Sequence, residues 1–156
     1  PKSQTAARVC FIASATENVY AAISQGSGIT AARTYSIRFV ETTLWANWYF
    51  IGGGYQSYTL LRNTTSAAVT FDLRWVDASG TEKATSLGQT IPANGVVYVD
   101  AKAVITCFPA TCPASGAGSV QVAHSASPEA IVGSQTTLAG STGLSFDTIL
   151  FQRRAW

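Results

Sequence analysis

The sequence is poor in charged residues and contains one histidine, three cysteines and no methionine. Asp, Glu, Lys and Arg together make up 12% of its 156 residues, about half the usual share. A formal net charge of only +2 excludes the dense basic face that is typical of nucleic-acid-binding proteins. No apolar run approaches the roughly 18 residues that a membrane-spanning helix needs. One histidine and three cysteines are too few for most zinc sites, and we expect no cofactor.

Apolar residues are nevertheless plentiful, at 47% of the chain. That share is ordinary for a folded protein and too high for intrinsic disorder. A chain of 156 residues has room for one hydrophobic core, and no linker-like stretch divides it. We therefore expect a single domain over residues 1–156.

Short alternating segments dominate the chain. The clearest lies at residues 68–77, where one predicted face carries Val69, Phe71, Leu73 and Trp75. Turn-forming segments such as Asp77–Gly80 and Pro92–Gly95 separate these stretches. About eight to ten such strands are expected, at the spacing of sandwiches and barrels. The sequence predicts an all-β fold, namely a single antiparallel, immunoglobulin-like β-sandwich.

Two regions depart from this pattern. Residues 1–40 are expected to form N-terminal strands or an extension, which packs either on its own sandwich or on a neighbour. Within them, residues 17–32 fit either a helical turn or half of a hairpin. Residues 101–117 are expected to form an irregular, cysteine-containing loop. There, two flanking prolines predict a disulfide between Cys107 and Cys112. Cys10 is then either a buried thiol or a link to another chain.

Aromatic residues cluster after residue 44. In a regular strand Trp48 and Phe50 would share one face, and Trp45 and Tyr49 the other. One face must fill the core, so the other predicts a covering segment, a protein contact or a platform for sugar rings. The predicted contact or ligand surface consists of Trp45, Trp48, Tyr49, Tyr55, Tyr58 and Trp156.

Turn and strand motifs carry a family resemblance over roughly residues 44–153. The Gly-rich segment 52–54 leads to a strand that ends in Asn63, followed by the turns at 77–80 and 91–95. This succession resembles a broad group of uncharacterised bacterial secreted and surface β-sandwich modules. The resemblance implies a fold and carries no activity and no site residues.

Catalytic groups are scarce. His124 is the only possible histidine base, and no Gly-x-Ser-x-Gly elbow accompanies it. Its place in an alternating strand predicts a solvent-facing or subunit-facing side chain. The eight acidic residues read as surface and turn carboxylates, and their spacing favours no pair for glycosidase chemistry and no calcium loop.

The sequence thus predicts a non-catalytic extracellular, cell-surface or periplasmic protein. Low charge, abundant Ser and Thr and the close cysteine pair all favour that location. The leading hypothesis is a structural or accessory subunit of a larger surface assembly, such as a filament, a layer or a complex. It would act through contacts with other protein subunits, copies of itself or others. The alternatives are a carbohydrate-binding or adhesive module and, last, a hydrolase that uses His124.

Overall fold

A computed structural model of the chain describes residues 41–105 and 116–153. Most of this part lies in β-strands. In chain order the strands are β1 (Leu44–Ile51), β2 (Tyr55–Asn63), β3 (Val69–Asp77), β4 (Glu82–Ile91), β5 (Val96–Asp100), β6 (Gly116–His124), β7 (Ile131–Ala139) and β8 (Ser145–Leu150). One short helix, α1 (Ala101–Ile105), follows β5, and a 3₁₀ turn (Pro128–Ala130) precedes β7. No helix within these ranges has the length and apolar character needed to cross a membrane.

The strands form two four-stranded sheets. The first sheet has the order β1–β6–β3–β4, and the second has the order β5–β2–β7–β8. All neighbouring strands are antiparallel. Only β3–β4 and β7–β8 follow each other both in the chain and in a sheet, so the other connections cross between the sheets. The expected all-β, antiparallel class is confirmed.

Both sheets contribute to one buried apolar cluster. On β3 the alternation is as predicted, because Val69, Phe71, Leu73 and Trp75 are all buried. The same cluster includes Leu61 and Ile131 from the second sheet and both ends of α1. One face of each sheet is therefore removed from water, which is the main favourable contribution to folding.

The predicted turns are present. Gly52, Gly53 and Gly54 all have positive φ angles, which residues with a Cβ rarely adopt, and they reverse the chain between β1 and β2. At the next predicted turn the Asp77 Oδ1 atom accepts hydrogen bonds from the main-chain N–H groups of Ser79 and Thr81, each at 2.9 Å. This is the side-chain-to-backbone pattern for which Asp is favoured in turns.

Both ends of the predicted irregular loop are regular, and there the prediction is wrong. Its first residues form α1, because the Asp100 Oδ1 atom accepts a hydrogen bond from the Lys102 N–H at 2.9 Å and so starts the helix. Gly116 and Ala117 already belong to β6. The two cysteines of this loop, like residues 1–40, lie outside the described residues.

Candidate functional site

Five exposed apolar side chains cluster on the outer face of the second sheet. Their exposed fractions are 46% for Leu60, 59% for Val96, 69% for Tyr98, 48% for Val132 and 67% for Leu150. They come from all four strands of that sheet. We call these five residues the apolar face. Single exposed apolar residues are ordinary, whereas a contiguous group marks an interaction site.

Strand register makes the apolar face contiguous. One row crosses all four strands and consists of Tyr98, Leu60, Ser134 and Leu150. The adjacent row, two residues along the strands, consists of Val96, Arg62 and Val132. Neighbouring strands lie about 4.8 Å apart, so side chains in a row are within van der Waals reach of each other.

Adjacent apolar residues in the strands explain how this surface arises. Successive side chains in a strand point to opposite faces, so an apolar pair must send one member outward. Leu61 is buried while Leu60 is exposed, and Ile131 is buried while Val132 is exposed. Counting alternation alone does not predict any of these five residues, whereas adjacent apolar pairs are the sequence signal that indicates them.

Opposite charges flank the apolar face. Arg62 is exposed and forms no ion pair with a described residue. Asp100 lies at the other end of β5 and is paired with Tyr58 across the ladder. Burial, the Asp100 carboxylate and Tyr98 together raise the pKa of the Tyr58 hydroxyl, which donates a hydrogen bond to the Gln56 Oε1 atom at 2.6 Å. A positive end and a negative end thus lie on either side of the Leu60 row.

A groove of about 550 Å³ adjoins the apolar face, and its lining also includes the buried residues Leu44, Leu61 and Ile131. Leu60, Val132 and Leu150 of the apolar face line it, together with Arg62 and Arg153. Its lining is mostly apolar, which suits an apolar side chain of a partner better than a charged ligand.

The outer face of the first sheet differs, because it carries charged side chains from β3 and β4. The Arg74 guanidinium lies 3.9 Å from the Glu82 carboxylate, and the Asp72 Oδ1 atom accepts a hydrogen bond from the Gly88 N–H at 2.8 Å. At its margin, Lys83 holds the pKa of Asp77 well below its usual range, with further lowering by Ser79. The low overall charge of the chain applies to both sheets, whereas the apolar face lies on one. Low charge alone therefore does not explain the apolar face.

The predicted aromatic surface is divided by a β-bulge in β1. The register shifts between Ala46 and Tyr49, which leaves Trp48 38% exposed and turns Tyr49 into the core with only 1% exposed. Trp48 stacks on Phe50, as their predicted shared face implies, with ring centroids 6.2 Å apart. The prediction that Trp45 and Tyr49 share a face is wrong, because the inserted residue restarts the alternation.

The other members of the predicted surface are dispersed. Tyr55 meets Phe50 edge-on, with centroids 5.8 Å apart. Trp45 is half-buried on β1 opposite Gln121, whereas Tyr58 lies on the outer face of the second sheet. Trp156 lies outside the described residues, as do Cys10, Cys107 and Cys112. The structure thus brings Trp48 and Tyr55 together through Phe50.

His124 is buried, and its predicted outward orientation is wrong. Its side chain is 1% exposed because β6 places it on the same inner face as Val120 and Val122. Neither ring nitrogen has a hydrogen-bond partner among the described residues. Burial, and then the positive charge of Arg153, lowers the pKa of His124 to about 4. The ring is thus neutral at pH 7 and closed off from solvent.

Polar groups also line part of the interior. On the inner face of the second sheet the Ser57 and Thr137 hydroxyl oxygens lie 2.7 Å apart, and Thr59 donates to the Gln135 Oε1 atom at 2.5 Å. These bonds satisfy the hydroxyl groups and the Gln135 Oε1 atom, whereas the Gln135 Nε2 atom has no partner among the described residues. Within the described ranges, no group of three His, Cys, Asp or Glu side chains could hold a metal ion.

Comparisons with protein-family models, curated proteins and solved structures find no match. The resemblance to bacterial secreted and surface modules therefore stays a prediction.

Proposed function

We propose that this protein is a non-catalytic structural or accessory subunit of a larger extracellular assembly, and that it acts through protein–protein contacts. The observation that carries the proposal is the apolar face on the outer side of the second sheet. We also infer that the two sheets are the layers of an immunoglobulin-like β-sandwich. Their shared core and the crossing connections between them support that inference.

The energetics favour a partner over water on this face. Fully burying a Val or Leu side chain stabilises a complex by about 1.5–3 kcal/mol. Five clustered, half-exposed or more exposed side chains therefore offer several kcal/mol, which can offset part of the entropy lost on association. Protein interfaces have an apolar centre and a polar margin. The apolar face matches the centre, and Arg62 and Asp100 match the margin.

Composition supports the extracellular setting and the structural role. Charged residues are only 12% of the chain, so few like charges oppose close packing of subunits. The proposed disulfide between Cys107 and Cys112 would suit an oxidising compartment. The proposal of a non-catalytic role draws on the absence of a nucleophile elbow in the sequence and on the enclosed position of His124.

Site-specific photo-crosslinking tests this function. Tyr98, on the apolar face, is replaced by photoreactive benzoylphenylalanine in the full chain, and the cells that produce it are irradiated. Leu87, which is 60% exposed on β4 of the first sheet, is the matched control position. Protein adducts at position 98 and not at position 87 would support the proposal. Equal adducts at both positions, or none at 98, would contradict it.

A carbohydrate-binding or adhesive role is the second candidate. The observation in its favour is the parallel stack of Trp48 on Phe50, whose planes differ by 6°, next to the exposed amide of Asn47. Exposed aromatic planes bind sugar rings. Screening the chain and a Trp48→Ala variant against a glycan array tests it. Binding that the variant loses would favour this role, and no binding by either would exclude it for the glycans presented.

A further inference from the structure

We infer that the partner on the apolar face is a second copy of this chain, bound face to face about a two-fold axis that runs along the Leu60 row. The inference rests on the proposed function, because it names the partner of the same face. A two-fold interface is self-complementary, so the surface must match itself when turned over. The apolar face meets that condition in the placement of its apolar and its charged residues.

The apolar part of the match follows from the row. An axis along Tyr98, Leu60, Ser134 and Leu150 lays this row on its own copy. Leu60 then lies at the centre of the contact, flanked by Tyr98 on the edge strand β5 and Leu150 on the edge strand β8. Sheets packed face to face are about 10 Å apart, so side chains of this size interdigitate across the interface.

The charges of Arg62 and Asp100 favour this axis over a two-fold axis that runs along β2. Rotation about the Leu60 row exchanges the two rows beside it, so Arg62 of one copy faces Tyr58 and the adjacent Asp100 of the other. Symmetry forms the same contact twice. An axis that runs along β2 would instead place Arg62 on the Arg62 of the other copy, with like charges opposed. Opposite charges on the two flanking rows therefore favour an antiparallel stacking of the two sheets.

The solution mass of the full chain tests the partner. Sedimentation velocity over a concentration series, with reductant present, should show a monomer–dimer equilibrium that ends at two chains of 16.4 kDa each. Leu60→Glu places a charge at the centre of the contact and should raise the dimer dissociation constant at least tenfold. Leu87→Glu, on the first sheet, should leave it unchanged. Thermal unfolding of each variant checks that the fold is kept.

Charge-swap variants test the geometry. Arg62→Asp and Asp100→Arg should each weaken dimerisation about tenfold, because each places like charges opposite one another twice. Mixing the two variants should restore the wild-type affinity as a heterodimer, since both contacts then pair opposite charges. Asp100→Asn keeps the acceptor for the Lys102 N–H and should weaken the dimer to a smaller extent. Asp100→Asn replaces Asp100→Arg as the test variant if Asp100→Arg does not fold.

The outcomes separate this inference from the proposed function. A chain that stays monomeric, or a dimer insensitive to Leu60→Glu, overturns the inference; adducts to another protein at position 98 would still support the function. A dimer that Leu60→Glu breaks, but that the charge swaps and their mixture do not affect, overturns the two-fold geometry. Restored dimerisation on mixing confirms it.

Discussion

The Asn63 side chain at the end of β2 donates a hydrogen bond to the main-chain oxygen of Ile91 at the end of β4, with an Nδ2–O distance of 3.1 Å. The bond joins the second sheet to the first. The same amide nitrogen also lies 2.7 Å from the Ala67 oxygen, and the Oδ1 atom accepts from the Thr65 N–H at 2.9 Å. Asn63 is fully buried and partnered, so its Asn-x-Thr sequence is not an accessible glycosylation site in the folded chain.

Replacing Asn63 should lower the free energy of unfolding. Asn63→Ala removes both the donor and the acceptor and leaves several buried main-chain groups without partners, at an expected loss of about 2–4 kcal/mol. Asn63→Asp keeps the acceptor for Thr65 but points a carboxylate at carbonyl oxygens, and should destabilise as well. Urea unfolding measures both, with Thr70→Ala on the exposed face of β3 as control. A loss below about 0.5 kcal/mol for Asn63→Ala would show that the amide does not join the sheets.

Gly118 and Gly116 on β6 offer a matched pair. A Cβ atom at Gly118 would stand 1.9 Å from the Val76 oxygen, whereas at Gly116 the nearest atom would be the Ile51 Cγ1 at 3.7 Å. Gly118→Ala should therefore force β3 and β6 apart, with an expected loss of more than about 3 kcal/mol, and Gly116→Ala should change stability by less than about 1 kcal/mol. Thermal melts followed by circular dichroism give both values. Similar melting temperatures for the two variants would contradict this prediction.

The buried pair Thr59–Gln135 should be energetically coupled. Thr59→Val removes the donor to the Gln135 Oε1 atom and should cost about 1–3 kcal/mol, because the amide oxygen stays buried. The Gln135 Nε2 atom has no partner among the described residues, so Thr59→Val combined with Gln135→Leu should cost less than the sum of the single changes. A double-mutant cycle in urea should give a coupling of about 1 kcal/mol or more. Strict additivity would show that the two side chains act independently.

Acid should destabilise the fold through His124. The folded pKa of about 4 lies below the ordinary value of 6.5, so between these values the unfolded chain binds more protons than the folded chain. The His124 contribution is complete above about pH 6.5 and is lost as the pH decreases through about 4, by about 3 kcal/mol in all. Urea unfolding at pH 7 and pH 4.5 should show this loss in the wild type, whereas His124→Leu should lack that part of it. An equal pH dependence in the variant would show that other groups cause the loss.

Sequence alternation predicted the strands and turns well where the chemistry is local. The buried face of β3 and the turns at Gly52–Gly54 and Asp77–Gly80 followed from residue types that favour those conformations at those positions. Alternation has a period of two, however, and does not state which of two faces is turned inward. Alternation therefore leaves the side of His124 open, and the structure places it on the inner face with Val120 and Val122.

Local sequence patterns do not predict the candidate site. The bulge between Ala46 and Tyr49 depends on how β1 pairs with β6, and it divided the aromatic surface that a regular strand would have presented. The apolar face combines residues from β2, β5, β7 and β8, which lie far apart in the chain and become neighbours only through sheet order.

The low charge, the strand-forming segments and the positions of the turns follow from the sequence alone. They depend on composition and on local propensities, which act within a few residues. The tertiary structure decided that Leu60 and Tyr98 lie side by side at the surface, with Arg62 and Asp100 on either side of them. Such a surface depends on strand pairing across the whole chain, which only the packing of both sheets around one core sets.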